Sequence, residues 1–150
     1  MLTLSKKIIV AIDGSPQSDK AAEEAVRLAS LSGHKFKSQL YAVMVLPNTK
    51  TPSFTDFFPE KPDTEMPGWQ EKRDRLFYVV EKAAAEADVQ LESLVAYGDP
   101  AEELMLMAEE KYCDVIVVGS SGKGRVKRTL LGSVSTKISL HAHCSVYIVR

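Results

Sequence analysis

Residues 114–135 read DVIVVGSSGKGRVKRTLLGSVS, and this stretch decides how the rest of the chain is interpreted. The apolar run at 115–118 is typical of a strand buried on both faces, and a glycine-rich segment follows it directly. Glycine lets backbone N–H groups approach an anion without a Cβ in the way, and a helix start adds unpaired donors and a favourable dipole. The stretch therefore predicts a phosphate-binding loop between a buried strand and a new helix. Its key positions are Gly119, Gly122, Gly132 and Ser133.

Four basic residues lie inside this glycine-rich segment, namely Lys123, Arg125, Lys127 and Arg128. The whole chain has a formal net charge of −1, which provides no general attraction to nucleic acid or to an anionic membrane. An anion site must therefore be local. Two interpretations of the basic side chains stay open: contact with phosphate, or an ordinary solvated surface.

Short apolar runs alternate with helical patterns along the chain, and this alternation predicts an α/β protein with a parallel sheet covered on both faces. A length of 150 residues fits one domain spanning 1–150, and 45% apolar with 26% charged residues is ordinary for a globular protein. The predicted strands are about 7–12, 36–46, 89–97, 114–118 and 145–149. The predicted helices are about 16–32, 69–87, one starting at Pro100, and 133–141.

Two helix starts carry recognisable caps. Ser15 precedes Pro16, and Asp99 precedes Pro100, so each serine or aspartate is an N-cap with proline in the first turn. Glu102 completes a predicted capping box with Asp99.

Residues 47–68 form a long connection that contains five of the seven prolines and three phenylalanines. A connection of this length without regular structure is typical of a surface loop, a lid or an interaction segment. A surface loop is the favoured interpretation, and contact with a protein partner is the alternative.

The two cysteines, Cys113 and Cys144, are expected to be buried, reduced thiols. His141, His143 and Cys144 have the spacing of a metal clip, but no second cluster supplies further ligands, so a polar helix end is favoured. No apolar run approaches the roughly 20 residues that cross a bilayer, and the N-terminal residues lack the apolar stretch of a signal peptide. We expect a cytoplasmic protein.

Asp13 ends the first predicted strand and Gly119 ends the fourth. In open α/β sheets ligands bind outside the carboxyl ends of the strands, so neighbouring strands one and four would form one crevice with an acid and a phosphate loop. The carboxylate of Asp13 could accept from ribose hydroxyls or hold Mg²⁺; the alternative is a turn-forming role before Gly14. The Walker motif GxxxxGK[ST] is absent, and so is GxGxxG after the first strand.

The pattern Gly119-x2-Gly122-x9-Gly132-Ser133, together with VAIDGS at 10–15 and the Gly98-Asp-Pro turn, resembles the universal stress protein family, in its ATP-binding branch. The resemblance covers 6–150. It implies a three-layer sandwich, Rossmann-like and similar to the adenine nucleotide alpha hydrolase fold, with a five-stranded parallel sheet in the order 3-2-1-4-5.

The resemblance also implies a site for ATP, or for ADP or AMP, with Mg²⁺ at Asp13. Val43 or Met44 would contact adenine through the backbone, and the family often has His or Arg where this chain has Ser121. The implied nucleotide-binding residues are Ala11, Ile12, Asp13, Val43, Met44, Gly98, Val118, Gly119, Ser120, Ser121, Gly122, Lys123, Gly132, Ser133, Val134 and Ser135.

The resemblance implies a nucleotide-dependent regulator in the stress response. Catalysis is the weaker expectation, because no residue in the motif region is a positioned general base. Two alternatives stay open: a slow ATPase or phosphotransferase that uses the same pocket, and a protein adaptor with incidental nucleotide binding. The resemblance implies a homodimer through the last strand, at 146–149. No nucleic-acid or membrane partner is expected.

Overall fold

The computed structural model describes residues 6–33, 35–46, 68–121 and 131–150. Five strands and four helices alternate in these residues, as the hydrophobic pattern predicts. The elements are β1 (Lys7–Ala11), α1 (Pro16–Ser30), β2 (Gln39–Leu46), α2 (Trp69–Glu86), β3 (Gln90–Tyr97), α3 (Pro100–Glu110), β4 (Val115–Gly119), α4 (Ser133–His141) and β5 (Ser145–Val149).

All five strands are parallel and lie in the order β3-β2-β1-β4-β5, which confirms the predicted sheet. β1 pairs with β2 on one side, where Ala11 lies opposite Val43, and with β4 on the other, where Val10 lies opposite Val117. The strand order reverses between β1 and β4. The carboxyl ends of these two strands therefore border the crevice where ligands bind in this class of sheet.

The sheet is the middle layer of three. α1 and α2 pack on one face, around Ile8, Val10 and Phe77, and α3 and α4 pack on the other, around Ile9 and Leu104. Successive residues of β1 point to opposite faces, so both helix layers are anchored by fully buried side chains of the same strand. Burying each of these large side chains stabilises the fold by about 1.5–3 kcal/mol.

Two of the predicted helix caps are present. The Ser15 side chain accepts from the N–H of Ser18 at 3.1 Å, and the Asp99 side chain accepts from the N–H of Glu102 at 3.0 Å. The Glu102 carboxylate accepts from Lys137 of α4 at 2.9 Å, so it joins α3 to α4.

β2 begins at Gln39, three residues later than predicted, and the buried side chain of Ser38 accounts for the difference. Its hydroxyl accepts from the backbone N–H of Lys6 at 3.1 Å and lies 2.6 Å from the Ser32 hydroxyl. A side-chain hydrogen bond thus replaces a ladder bond just before the strand starts.

The connection predicted at 47–68 lies outside the described residues, apart from Gly68, which stands at the N-cap position of α2 with φ 85°. Both cysteines are free thiols, with Cys113 buried and Cys144 half-buried. Within the described ranges, no helix is both long and apolar enough to cross a membrane.

Candidate functional site

A cavity of about 470 Å³ opens at the carboxyl ends of β1 and β4, between the sheet edge and the first turns of α1, α3 and α4. This volume lies within the range of about 300–1,000 Å³ that is usual for small-molecule sites. The cavity is lined by Ala11, Ile12, Asp13, Ser15, Ser18, Val43, Val45, Pro100, Leu104, Val118, Gly119, Ser121, Leu131, Gly132, Ser133, Val134 and Ser135.

Three hydrogen bonds in a closed cycle hold Asp13 in place. The N–H of Asp13 donates to Ser18 Oγ at 3.0 Å, the N–H of Ser18 donates to Ser15 Oγ at 3.1 Å, and the N–H of Ser15 donates to Asp13 Oδ1 at 2.8 Å. Asp13 is therefore both turn-forming and cavity-lining, so the two interpretations of this residue combine. One carboxylate oxygen accepts from the turn, and the other has no hydrogen-bond partner among the described residues.

Asp13 is the one charged side chain among the described residues that line the cavity. A magnesium ion beside phosphates is bound through one or two carboxylates together with phosphate oxygens and water. The available oxygen of Asp13, close to the hydroxyls of Ser15 and Ser18, fits such an ion. Among the residues described, no cluster of three or more His, Cys, Asp or Glu side chains is arranged to hold a metal by itself.

The N-terminus of α4 lines the same cavity. Its N-cap is Gly132, and no side chain caps it, in contrast to α1 and α3. The first N–H groups of an α-helix have no partner within the helix, so those of Ser133 and Val134 are available as donors to an anion. The helix dipole also favours negative charge at this end.

The carbonyl oxygen of Ser120 joins the end of β4 to the start of α4. It accepts from the N–H of Gly132 at 2.6 Å and from the buried hydroxyl of Ser135 at 3.0 Å. The single hydroxyl proton of Ser135 therefore has a backbone acceptor already. This places Ser135 in the role of positioning the helix start rather than donating to a ligand.

The remaining wall is apolar. Val43 and Val45 of β2 and Val118 of β4 face Leu104 of α3 across the cavity, and Ile12 lies beside them. An apolar surface of this kind suits one face of a flat heterocycle. The cavity thus combines an apolar wall, a fixed carboxylate and an uncapped helix start.

Most of the predicted residues line this cavity, and the exceptions have clear positions. The Met44 side chain packs on the other face of the sheet, under α1 and α2, because neighbouring strand residues point to opposite faces; Val43 lies on the cavity side. Gly98 has φ 137° and donates its N–H to the carbonyl of Leu46. Ser120 contributes the backbone link just described, and Gly122 and Lys123 lie outside the described residues.

Six residues that line the cavity were not predicted as site residues from the sequence. Ser18 sits one turn into α1, so its hydroxyl returns to the end of β1. Val45 lies two residues after Val43 in β2, so the two side chains are on the same face of the strand. Pro100 and Leu104 lie one turn apart on the same face of α3. The other residues missed are Ser15, predicted only as a cap, and Leu131.

Comparisons of the sequence and of the fold with known proteins both identify the same protein family. The model of the universal stress protein family matches residues 5–150. Universal stress protein YxiE of Bacillus subtilis is 36% identical, over 96% of this chain and 98% of that protein. Universal stress protein MJ0531 of Methanocaldococcus jannaschii is 32% identical, over 98% of this chain and 83% of that protein.

Solved structures agree. Universal stress protein UspA from Lactobacillus plantarum superposes with a TM-score of 0.77 at 25% identity, with 97% of each chain covered. A universal stress protein in complex with cAMP has a TM-score of 0.69 at 24% identity, over 97% of each chain. The Archaeoglobus fulgidus protein in complex with dAMP has a TM-score of 0.67 at 22% identity, over 98% of this chain and 99% of that one. The chain belongs to the universal stress protein family.

Proposed function

We propose that this chain binds ATP in the cavity between Asp13 and α4 and acts as a nucleotide-dependent regulator in the stress response. The observation that carries the proposal is the uncapped N-terminus of α4, which lines the same cavity as a fixed carboxylate at the switch point of the sheet. Two proteins of the same fold were solved with the adenine nucleotides cAMP and dAMP, which supports an adenine nucleotide as the ligand class.

The base would lie against the apolar wall beside Ile12, Val43 and Leu104. The Val43 carbonyl already accepts from the N–H of Ile12 at 2.8 Å, which keeps the end of β2 level with the end of β1. The available oxygen of Asp13 would accept from a ribose hydroxyl or hold Mg²⁺, which neutralises phosphate charge when it is bound.

The phosphates would bind the N–H groups at the start of α4, beside Gly119 and Gly132. Built onto Gly132, a Cβ would lie 3.3 Å from Ser121 Cα and 3.4 Å from Ser120 O. The space at this glycine is therefore already narrow, and a branched side chain would press on the backbone of Ser120 and Ser121, which leads from β4 toward the start of α4. This is the physical reason to place glycine where backbone donors approach an anion.

Binding without rapid turnover fits the side chains present. Asp13 is the one titratable group among the described lining residues, and a role in ribose or metal binding leaves no separate general base on the described wall. We propose that the nucleotide is held, so that its presence alters the protein surface.

Calorimetric titration with ATP, with and without Mg²⁺, tests the site. Gly132→Val is expected to reduce ATP affinity, and Asp13→Asn is expected to reduce the contribution of Mg²⁺ while its amide oxygen preserves the turn. Asp74→Asn, an exposed acid on α2, is the matched control. Unchanged affinity in both cavity variants, with the fold intact, would refute the proposal. Turnover of labelled ATP above about one per minute, which is slow beside the usual rate of about 1 per second or more, would instead identify an enzyme if Asp13→Asn abolished it.

We also propose a homodimer through β5. This strand is an edge of the sheet, so the outward side of its backbone has no neighbouring strand within the described fold. Sedimentation equilibrium tests the assembly, and a monomer at every concentration would count against it. The cytoplasmic location stays a prediction from the sequence.

A further inference from the structure

A second cavity, of about 220 Å³, lies near the amino ends of β4 and β5, at the opposite end of the sheet from the first one. Three of its lining residues carry sulfur: Met105, Cys113 and Cys144. The full lining is Met105, Ala108, Glu109, Tyr112, Cys113, Ile116, His143 and Cys144. The chain has two cysteines in all, and both face this one cavity.

The topology explains why these sulfurs converge. β4 and β5 are paired with Val115 opposite Ser145, so Cys113 and Cys144 stand just before the paired starts of adjacent parallel strands. The N–H of Cys113 donates to the carbonyl of Ala108 at 2.8 Å, which brings the end of α3 against the start of β4. Met105 lies one turn before residues 108 and 109 on that same helix face.

The environment is that of a soft ligand site. Cys113 is 8% exposed and packs with Cys144 and Met105 in the apolar cluster beneath α3 and α4. Both thiols are free, and burial followed by the electrostatic effect of Cys144 raises the pKa of Cys113. His143 stands at the exposed side, where its Nε2 lies 3.1 Å from a carboxylate oxygen of Glu109.

We propose that this cavity binds one monovalent copper ion through the sulfurs of Cys113, Cys144 and Met105. Thiolate and thioether ligands select Cu(I), whereas zinc requires four ligands, usually imidazole or thiolate. In the described part of the chain, no three His, Cys, Asp or Glu side chains are arranged to hold a metal ion, which argues against a zinc site here. A set of two thiolates and a thioether suits a soft ion of low coordination number.

The binding step requires no oxidant or reductant. Each cysteine thiol loses its proton to solvent as its sulfur forms a bond to Cu(I), and copper stays monovalent throughout. The two thiolates and the ion together carry one negative charge. Lys7 and Lys111 both act electrostatically on Cys113 and partly compensate that charge, while Asp114 and Glu109 oppose it.

A reactive thiol is the less suitable interpretation of the same residues. Burial raises the pKa of Cys113 to about 11, and burial also raises the pKa of Cys144. A thiol without an accessible thiolate is a poor nucleophile toward peroxides and disulfides.

Anaerobic titration with Cu(I) in competition with a chromogenic Cu(I) chelator tests the proposal on the whole chain. We expect one tightly bound Cu(I) per chain, with thiolate-to-copper absorption in the ultraviolet. Cys144→Ala and Cys113→Ala should each weaken binding at least about 100-fold, since loss of an outer partner alone costs about 10- to 100-fold. Met105→Leu should weaken it less, by about tenfold on the same scale. Met107→Leu, on the same helix but outside the cavity lining, is the matched control and should bind like the unmodified chain.

Circular dichroism of each variant checks that it folds, and Cys144→Ala keeps the test valid should Cys113→Ala unfold. Equal Cu(I) affinity in the unmodified chain and in Cys144→Ala would overturn the proposal, and so would Zn²⁺ binding as tightly as Cu(I). Equal Cu(I) affinity in Met105→Leu and Met107→Leu would contradict the assignment of Met105 as a ligand. ATP titration of Cys144→Ala should be unchanged, because the two cavities lie at opposite ends of the sheet.

Discussion

Ser18→Ala should destabilise the protein by breaking the cycle that holds Asp13. The hydroxyl oxygen of Ser18 is the acceptor for the N–H of Asp13 at 3.0 Å, and Ser18 is 4% exposed. Alanine fits the helix at this position but offers no acceptor. The N–H of Asp13 then has to find water from the cavity or stay unpaired.

The expected loss of unfolding free energy depends on which of these two outcomes occurs. An unpaired buried donor costs about 1–3 kcal/mol, and partial access to cavity water places Ser18→Ala near the lower end, at about 1–2 kcal/mol. Each kcal/mol lowers the melting temperature of a domain this size by about 2–4 °C. Loosening the Asp13 turn should also weaken nucleotide binding, because the turn that orients the carboxylate would have lost one of its three hydrogen bonds.

Equilibrium unfolding in urea, at fixed protein concentration, measures the effect. Ser30→Ala is the matched control: Ser30 lies on the same helix, is exposed, and donates only to the carbonyl of Arg27. An exposed substitution of this kind should change the free energy of unfolding by less than about 0.5 kcal/mol. If Ser18→Ala and Ser30→Ala unfold at the same urea concentration, the cycle does not contribute as argued.

Two further predictions concern other parts of the fold. Gly98 has φ 137°, and a Cβ there would lie 2.9 Å from a carboxylate oxygen of Glu103, so Gly98→Ala should lose about 1–3 kcal/mol of unfolding free energy; an unchanged urea midpoint would contradict this. Hydrogen bonds from Arg27 and then Tyr147 lower the pKa of Glu24 from 4.5 to about 2. Because the folded-state pKa is lowered, this stabilisation is present above pH 4.5 and is lost as the pH falls toward about 2. Glu24→Gln should therefore show a smaller loss of unfolding free energy over that interval, and equal losses in the two proteins would refute the assignment.

Local patterns predicted much of the fold. The apolar run at 115–118 and the caps Ser15 and Asp99 indicate their elements because strand periodicity and capping act over a few residues. The start of β2 was misplaced because Ser38 bonds to Lys6, which is distant in sequence. Such a contact leaves no signal in the residues around it.

Part of the candidate site could likewise be predicted from the sequence, and part could not. The sequence alone predicts Asp13, Gly119 and Gly132 as site residues. A carboxylate or a glycine at the end of a strand or the start of a helix can be recognised from its neighbouring residues. The assignment of strand order came from the family resemblance, and the sheet confirms it. The side chain of Met44 lies on the face of β2 away from the cavity, and the predicted backbone contact of Val43 or Met44 with adenine stays a prediction.

By itself, the sequence determined the alternation of strands and helices and the glycine-rich segment at 119–132, since both depend on neighbouring residues. Only the tertiary structure decided that the Ser18 hydroxyl fixes Asp13, that the start of α4 lines the same cavity as this carboxylate, and that Cys113 and Cys144 line one cavity at the other end of the sheet. Parallel pairing aligns strand ends that are far apart in the chain, and burial then selects one face of each strand. The two cavities result from that alignment, at the two opposite ends of the same strands.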